Sequence, residues 1–469
     1  MNTLIAIAGL GIICLIAEIF NLRKAIVPVT VIGLLAVLGM PFYGIQDAGT
    51  FNNMIVTESF GSAFSQLFIV LTILLIVLSP NFHSNHPAKI SDFVAIKLFL
   101  LTGAIAMVSF GNLAMFFLGI EVLSISLYVL AASEPKNVKS NEAGMKYFIM
   151  GAFASGIILF GIALIYGATG SFDTNEIFRI SGAGQLGMRA SLPNWFFIGI
   201  VMLTIGLLFK IAAVPFHFWA PDVYEGSPAL TTATMSTLAK VAAMAGFFKL
   251  MRSMNMSIDG SYVTIIGIVA ILSMTIGNLM ALKQHNVKRM LAFSGISHAG
   301  FMLMVFYKPP AMQDELFYYA AAYSLAGIAA FAVVLSVCSS KGNEDIVNFN
   351  GLGKRSPLMA AVLTCALLSM GGIPIFSGFF AKFFLFSEVL DFKTVLGLQR
   401  VKHLPIIIIA VINSIISIGY YFKLIYAMYS HEGSEKREVV PVAYTIVAVV
   451  AILLNIAAGL YPQVLLDLV

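Results

Sequence analysis

The chain has 469 residues, of which 59% are hydrophobic and 10% charged, against about 25% charged in a soluble domain. Its mean hydropathy of +0.95 excludes a water-soluble core. The net charge of +5 does not mark a nucleic-acid binder, because the basic residues are scattered through short loops and apolar runs rather than gathered on one polar face.

An α-helix needs about 20 largely apolar residues to cross a bilayer. Fourteen such runs follow one another, centred on residues 3–20, 25–43, 60–80, 93–110, 112–132, 144–168, 193–216, 229–252, 262–282, 287–307, 314–339, 356–386, 404–429 and 440–463. The predicted fold class is therefore an all-α membrane protein of about 14 transmembrane helices. No basic stretch precedes the first run, so residues 4–20 read as a span rather than a cleaved signal. The connections are short, and the longest, 169–192, is rich in Gly and Ser and has room for a small hairpin or helix. Fourteen crossings put both termini on one side. The loops opposite the termini carry thirteen Lys and Arg and those on the same side seven, which by the positive-inside rule places both termini outside.

Two runs look interrupted. Ala213-Val-Pro-Phe216 comes directly after Lys210, in span seven, and Gly371-Gly-Ile-Pro-Ile-Phe376 comes shortly before Lys382, in span twelve. Proline removes a backbone donor and clashes with the preceding turn, and irregular backbone at membrane depth is tolerated only where protein or a wet cavity surrounds it. Two breaks five spans apart predict an internal repeat with its sites near the midplane; ordinary proline kinks are the simpler alternative.

Charges inside the apolar runs are the candidate chemistry. Glu121, Lys146, Lys210, Lys240 and Lys382 each lie within a different run. At about 2.5–3.5 kcal/mol per central charge, five represent about 12–17 kcal/mol that leucine would avoid. A static pair between Glu121 and one lysine accounts for two of them and leaves three lysines without an acid. An excess of lysine over acid suits groups that take turns being neutral, because desolvation favours the neutral amine and an approaching carboxylate restores the ammonium. His298, between the two lysine groups, is either a further station, since imidazole changes charge near neutral pH, or a packing residue. Lys97, Lys249 and Lys423 lie nearer span ends and are expected to snorkel to the interface.

Other signals carry less. Gly182-Ala-Gly-Gln-Leu-Gly187 matches GxGxxG but follows no strand, and Gly351-Leu-Gly-Lys354 lacks phosphate-loop spacing. Asp222 and Glu225 lie in a segment rich in Pro and Gly and read as a solvated turn, with a proton entrance as the alternative. Cys14, Cys338 and Cys365 are far apart with no CxxC, so neither zinc nor an iron–sulfur cluster is indicated.

The stretch Leu207-Leu-Phe-Lys-Ile-Ala-Ala-Val-Pro-Phe-His-Phe-Trp-Ala-Pro-Asp-Val-Tyr-Glu-Gly-Ser-Pro228 resembles the signature of the antiporter-like membrane subunits of respiratory complex I, the proton-translocating NADH:quinone oxidoreductase, which are related to cation/proton antiporters. In that resemblance Glu121, Lys146, Lys210 and Lys240 match the charged residues of spans five to eight, and Lys382 matches the twelfth-span residue. A lysine rather than a glutamate at the twelfth-span site, and no long lateral helix after span fourteen, point to one branch of the family.

The resemblance implies two inverted five-helix repeats, 93–252 and 262–429, with three helices before them (1–92) and one after (430–469). It implies a proton relay through Glu121, Lys146, Lys210, Lys240, His298 and Lys382, and gives Asp222 and Glu225 weight as entrance or structural residues. It implies no cofactor in this chain, with NADH, FMN, iron–sulfur clusters and quinone in partner subunits. The partners implied are neighbouring membrane-arm subunits, the bilayer of a bacterial inner membrane, and protons. Rival readings are a subunit of a multi-subunit cation/proton antiporter or membrane-bound hydrogenase, and a structural subunit whose buried charges only fix helix register.

Overall fold

The computed structural model describes all residues except 44–49, 52, 85–89, 183–191, 254–259, 309–310, 339–340, 342, 391–402 and 431–439. The GxGxxG match and seven of the loop residues used for orientation (Lys89, Arg189, Lys393, Arg400, Lys402, Lys436 and Arg437) lie wholly or partly outside the described residues.

The apolar runs fold as helices, which satisfy their own backbone groups without water. In chain order these are α1 (Asn2–Ile19), α2 (Arg23–Gly39), α3 (Ser59–Val77), α4 (Ile90–Ser109), α5 (Leu113–Ala131), α6 (Val138–Thr169), α7 (Thr174–Gly182), α8 (Asn194–Lys210), α9 (Trp219–Gly226), α10 (Ala229–Thr234), α11 (Lys240–Ser253), α12 (Gly260–Leu282), α13 (Val287–Met302), α14 (Gln313–Cys338), α15 (Pro357–Gly371), α16 (Ser377–Leu390), α17 (Leu404–Ser430) and α18 (Val442–Leu460). Asparagines cap several starts: the Asn112, Asn137 and Asn286 side chains accept from the backbone N–H of Met115, Lys139 and Arg289, which satisfies donors the first turn leaves open.

Among the described residues ten helices are long and apolar enough to cross a membrane. Of the other four expected runs, α2 has 17 residues and three are interrupted. The run at 193–216 stops at Lys210, 229–252 contains a π turn over Met235–Ala239, and 356–386 breaks after Gly371. The long connection after α6 holds the helix α7. A two-residue antiparallel strand pair, Thr50–Phe51 with Ile55–Val56, was not expected from the sequence.

α13 and α14 lie in the interior, with 94% of their apolar windows buried, as does α11, buried from Lys240 to Met251. Beyond its first turn α14 is apolar or small around nearly its whole surface, which fits that position. α6 and α8 cross closely at glycines: a Cβ on Gly161 would meet the Gly199 carbonyl oxygen at 2.7 Å, and the reverse contact is 2.8 Å.

Both breaks hold a non-glycine residue in left-handed backbone, Ala212 (φ 58°) and Ile375 (φ 87°). Such conformations cost about 1–3 kcal/mol and persist where the surroundings fix them. At the first break, the Val214 N–H donates to Ser273 Oγ at 2.9 Å and Trp219 Nε1 donates to the Phe209 carbonyl at 3.0 Å. At the second, Gly372 takes φ 86° and closes α15 through its N–H to Leu368 and Ser369 carbonyls.

Candidate functional site

Lys210 is the last residue of α8, so its side chain leaves the helix at the break. Its Nζ donates to Ser124 Oγ at 2.8 Å, Ser155 Oγ at 3.1 Å and Tyr128 Oη at 3.5 Å. Three hydroxyls from α5 and α6 thus hold the ammonium. Glu121 lies one turn before Ser124 on α5, and its Oε1 is buried without a hydrogen-bond partner among the described residues.

Lys240 opens α11 directly after the π turn and is 2% exposed. Its Nζ has no hydrogen-bond partner among the described residues and lies 5.7 Å from the Tyr224 ring centroid. Lys210, Ser124 and Lys240 share the wall of one cavity, with Tyr147, Trp219 and Tyr224 around them. Its volume is about 20 Å³, room for one water.

His298 of α13 is held at both ring nitrogens: Nδ1 is 2.8 Å from Tyr319 Oη and Nε2 is 3.2 Å from Tyr421 Oη. Tyr421 Oη is also 2.5 Å from Ser294 Oγ. A ring bonded to two hydroxyls donates on one side and accepts on the other, and turning both hydroxyls exchanges the tautomers. A second small cavity, about 10 Å³, is lined by His298, Tyr319, Tyr323, Ser369 and Met370.

Lys382 lies beyond that cavity in α16. Its Nζ donates to the Met370 and Gly371 carbonyls at 3.2 and 3.1 Å and stands 4.9 Å from the Phe301 ring. Those carbonyls end α15, where the helix dipole favours a cation.

Lys146 is not brought into this series. With 41% of its side chain exposed, it pairs with Glu142 at 2.7 Å and Asp222 at 3.4 Å. Asp222 and Glu225 are on helix α9 rather than in a turn, and both accept from Arg289 Nη1, at 2.7 and 3.0 Å. Burial pushes the Asp222 carboxyl up, but Arg289 and Lys146 outweigh it and hold the group below its ordinary value. This network joins α6, α9 and α13.

The snorkelling expectation fails for two lysines. Lys97 and Lys249 are 3% and 2% exposed. Lys97 donates to Ser79 Oγ at 2.8 Å and the Leu75 carbonyl at 3.5 Å, and Lys249 to the Val108 carbonyl at 2.8 Å. Both turn inward to carbonyls in the last turn of a neighbouring helix, where a cation is favoured; the Leu75 carbonyl also accepts from Ser79 Oγ. Lys423 is only partly buried and donates to the Gln284 carbonyl at 2.8 Å. Among the described residues no three His, Cys, Asp or Glu side chains converge on a metal position.

Residues 111–426 match the family model described as NADH:quinone oxidoreductase/Mrp antiporter, TM. The chain is 62% identical to the NADH-quinone oxidoreductase subunit N of Flavobacterium johnsoniae, with 100% of each chain covered. The chain belongs to the NADH-quinone oxidoreductase subunit N family. The subunit N of Flavobacterium psychrophilum is 60% identical, again over 100% of both chains. A solved chain of respiratory complex I from Thermus thermophilus with bound aureothin has a TM-score of 0.81 at 27% identity, covering 99% of this chain and 98% of that one.

Sequence reasoning found the lysines and missed their partners. Ser124, Ser155, Tyr128, Tyr319, Tyr421 and Arg289 carry ordinary residue types in apolar runs, and only the packing of distant helices makes them neighbours. The one available signal was a buried hydroxyl at helical spacing from a charge, as with Ser124 after Glu121.

Proposed function

We propose that this chain is a proton-translocating membrane-arm subunit of a bacterial NADH:quinone oxidoreductase. Electron transfer from NADH to quinone in partner subunits drives protons through its buried Glu, Lys and His side chains. Full-length identity of 62% to a subunit N supports the assignment. NADH, FMN, iron–sulfur clusters and quinone then belong to partner subunits, and proton transfer is this chain's own task. Its partners are the neighbouring membrane-arm subunits and the lipid of the inner membrane.

The observation that carries the relay is the series of polar groups across the interior. Lys210 and Lys240 share one cavity, His298 stands between two tyrosine hydroxyls, and Lys382 donates to a wall residue of the second cavity. Negative charge at Glu121 favours a protonated Lys210, and withdrawal of that charge releases the proton toward Lys240. Lys240 delivers it to the His298 region, and Lys382 receives it at the end of α15. Lys146, half exposed and held by Glu142 and Asp222, stands apart from that series.

Fourteen crossings, with inverted five-helix repeats at 93–252 and 262–429 and both termini outside, fit this reading. Each supposed repeat has one broken span with a lysine at the break and a non-glycine residue at positive φ. Lys210→Met in the assembled complex tests the reading: NADH-driven proton uptake falls by at least about tenfold. Uptake at the unmodified rate removes Lys210 from the mechanism.

A further inference from the structure

The relay leaves one link unexplained, the step from Lys240 to the His298 region. The Lys240 amine has no hydrogen-bond partner among the described residues, yet its position is specific. A Cβ built on Gly295 would meet Lys240 Nζ at 2.5 Å and Tyr323 Oη at 3.0 Å. Two polar atoms that close to one point are at most one water apart.

Gly295 lies inside helix α13, three residues before His298, and is not among the glycines at positive φ. Backbone conformation therefore does not call for glycine, which costs about 1 kcal/mol against alanine in a helix interior. What the missing side chain provides is space: the tip of Lys240 occupies the place a Cβ would take. Tyr323 Oη is 3.2 Å from Ser236 Oγ, and its ring centroid lies 4.8 Å from that of His298. Tyr323 also lines the cavity shared by His298 and Tyr319, while Lys240 lines the cavity shared with Lys210. The Lys240–Tyr323 approach thus joins a wall residue of one cavity to a wall residue of the other.

We propose that Gly295 and Tyr323 form the hand-over point of the relay, Gly295 by admitting the Lys240 amine to the face of α13 and Tyr323 by passing the proton on. The proposal rests on Lys240 being a relay station. The Lys240 ammonium gives a proton, through one water, to the Tyr323 oxygen. The phenol releases its own proton to a water in the cavity it shares with His298 and Tyr319, which passes it to the His298–Tyr319 pair, so Lys240 ends as the amine, Tyr323 ends neutral and the His298 side has gained one proton. Gly295 is a positioning residue, because it acts only through where Lys240 can reach.

Alanine and serine at 295 place the same Cβ, and both push back the flexible end of Lys240 and crowd the Tyr323 hydroxyl by a few tenths of an ångström; all the atoms met are side-chain tips, so neither demands a backbone shift there. Serine adds a hydroxyl in the vacated gap, whereas alanine leaves the gap apolar. The experiment uses membrane vesicles holding the whole complex and reads NADH-driven proton uptake against NADH oxidation. Gly295→Ala is expected to lower proton uptake about tenfold, as loss of one positioned proton-transfer link does, and Gly295→Ser to restore most of it. Tyr323→Phe is expected to match the alanine variant, and the Gly295→Ala/Tyr323→Phe double variant to fall no further, since both cut one link.

Equal losses for alanine and serine, or additive losses in the double variant, overturn the hand-over in favour of simple packing. Should Gly295→Ala fail to assemble, Tyr323→Phe decides alone, by losing flux or keeping it. Lys240→Met separates the two levels. If it abolishes uptake while Gly295→Ala and Tyr323→Phe pump normally, only the hand-over is wrong; if it pumps normally, the relay itself is wrong.

Discussion

Replacing Lys382 separates proton transfer from helix capping. Holding an ammonium at membrane depth costs about 2.5–3.5 kcal/mol. Against this stand hydrogen bonds to the Met370 and Gly371 carbonyls at 3.2 and 3.1 Å, about 1 kcal/mol each. The helix C-terminus adds about 0.3–1 kcal/mol, and the Phe301 ring at 4.9 Å about 0.5–1 kcal/mol. The terms cancel to within about 1–2 kcal/mol, so Lys382→Met, which keeps an unbranched side chain, should assemble with stability changed by less than about 2 kcal/mol. Its NADH-driven proton uptake should nonetheless fall at least about tenfold. Lys382→Arg is the sharper variant: it keeps the cation and its donors, but a guanidinium does not deprotonate in proteins. Native gels report assembly, and dye quenching in inverted vesicles reports uptake. An arginine variant that pumps at the unmodified rate would refute the reasoning, because a fixed positive charge would then be all the position needs.

Arg289→Gln removes both ion pairs to Asp222 and Glu225. These groups are partly exposed, so each pair is worth about 0.2–1 kcal/mol, and thermal unfolding should shift down by a few degrees; an unchanged midpoint contradicts the network's structural role. Because Asp222 is held below its ordinary value, its contribution to stability is fully present above about pH 4 and is lost as pH falls through the lowered folded value. Asp222→Asn should remove that part of the acid transition, and an identical acid profile would argue against it. Ile375→Gly relieves a β-branched residue at φ 87°, about 1–2 kcal/mol, against about 0.5–1 kcal/mol of added chain entropy. Stability should stay level or rise by up to about 1.5 kcal/mol, and a loss beyond about 1 kcal/mol would mean that the isoleucine's contacts matter more than its backbone.

Long apolar runs and proline or glycine breaks are local features, so the helices and both interruptions were legible in the sequence. So were the buried lysines, since a charge inside an apolar run stands out at once. Environment was not legible. Lys97 and Lys249 lie near span ends, where snorkelling is the usual outcome, but carbonyls in the last turns of adjacent helices turn them inward. Asp222 and Glu225 looked like turn residues because Pro221, Gly226 and Pro228 surround them. Proline is acceptable in a helix's first turn, where its missing N–H has no partner to lose, and Trp219–Gly226 is helical. Ala212 and Ile375 gave no sign of left-handed backbone, because neither residue type favours it. The partners of Lys210 and His298 come from segments 55 to 123 residues away, apart from Tyr319, and no periodicity in one sequence encodes such meetings.

The central claim is that protons pass through this chain's buried side chains. The most direct test is the initial rate of NADH-driven proton uptake by proteoliposomes containing the assembled complex with Lys240→Met. Lys240 is almost fully buried and its amine has no hydrogen bond to lose among the described residues, so a structural explanation for lost flux is weakest there. The account predicts an intact complex with uptake reduced at least about tenfold. Uptake at the unmodified rate would contradict it.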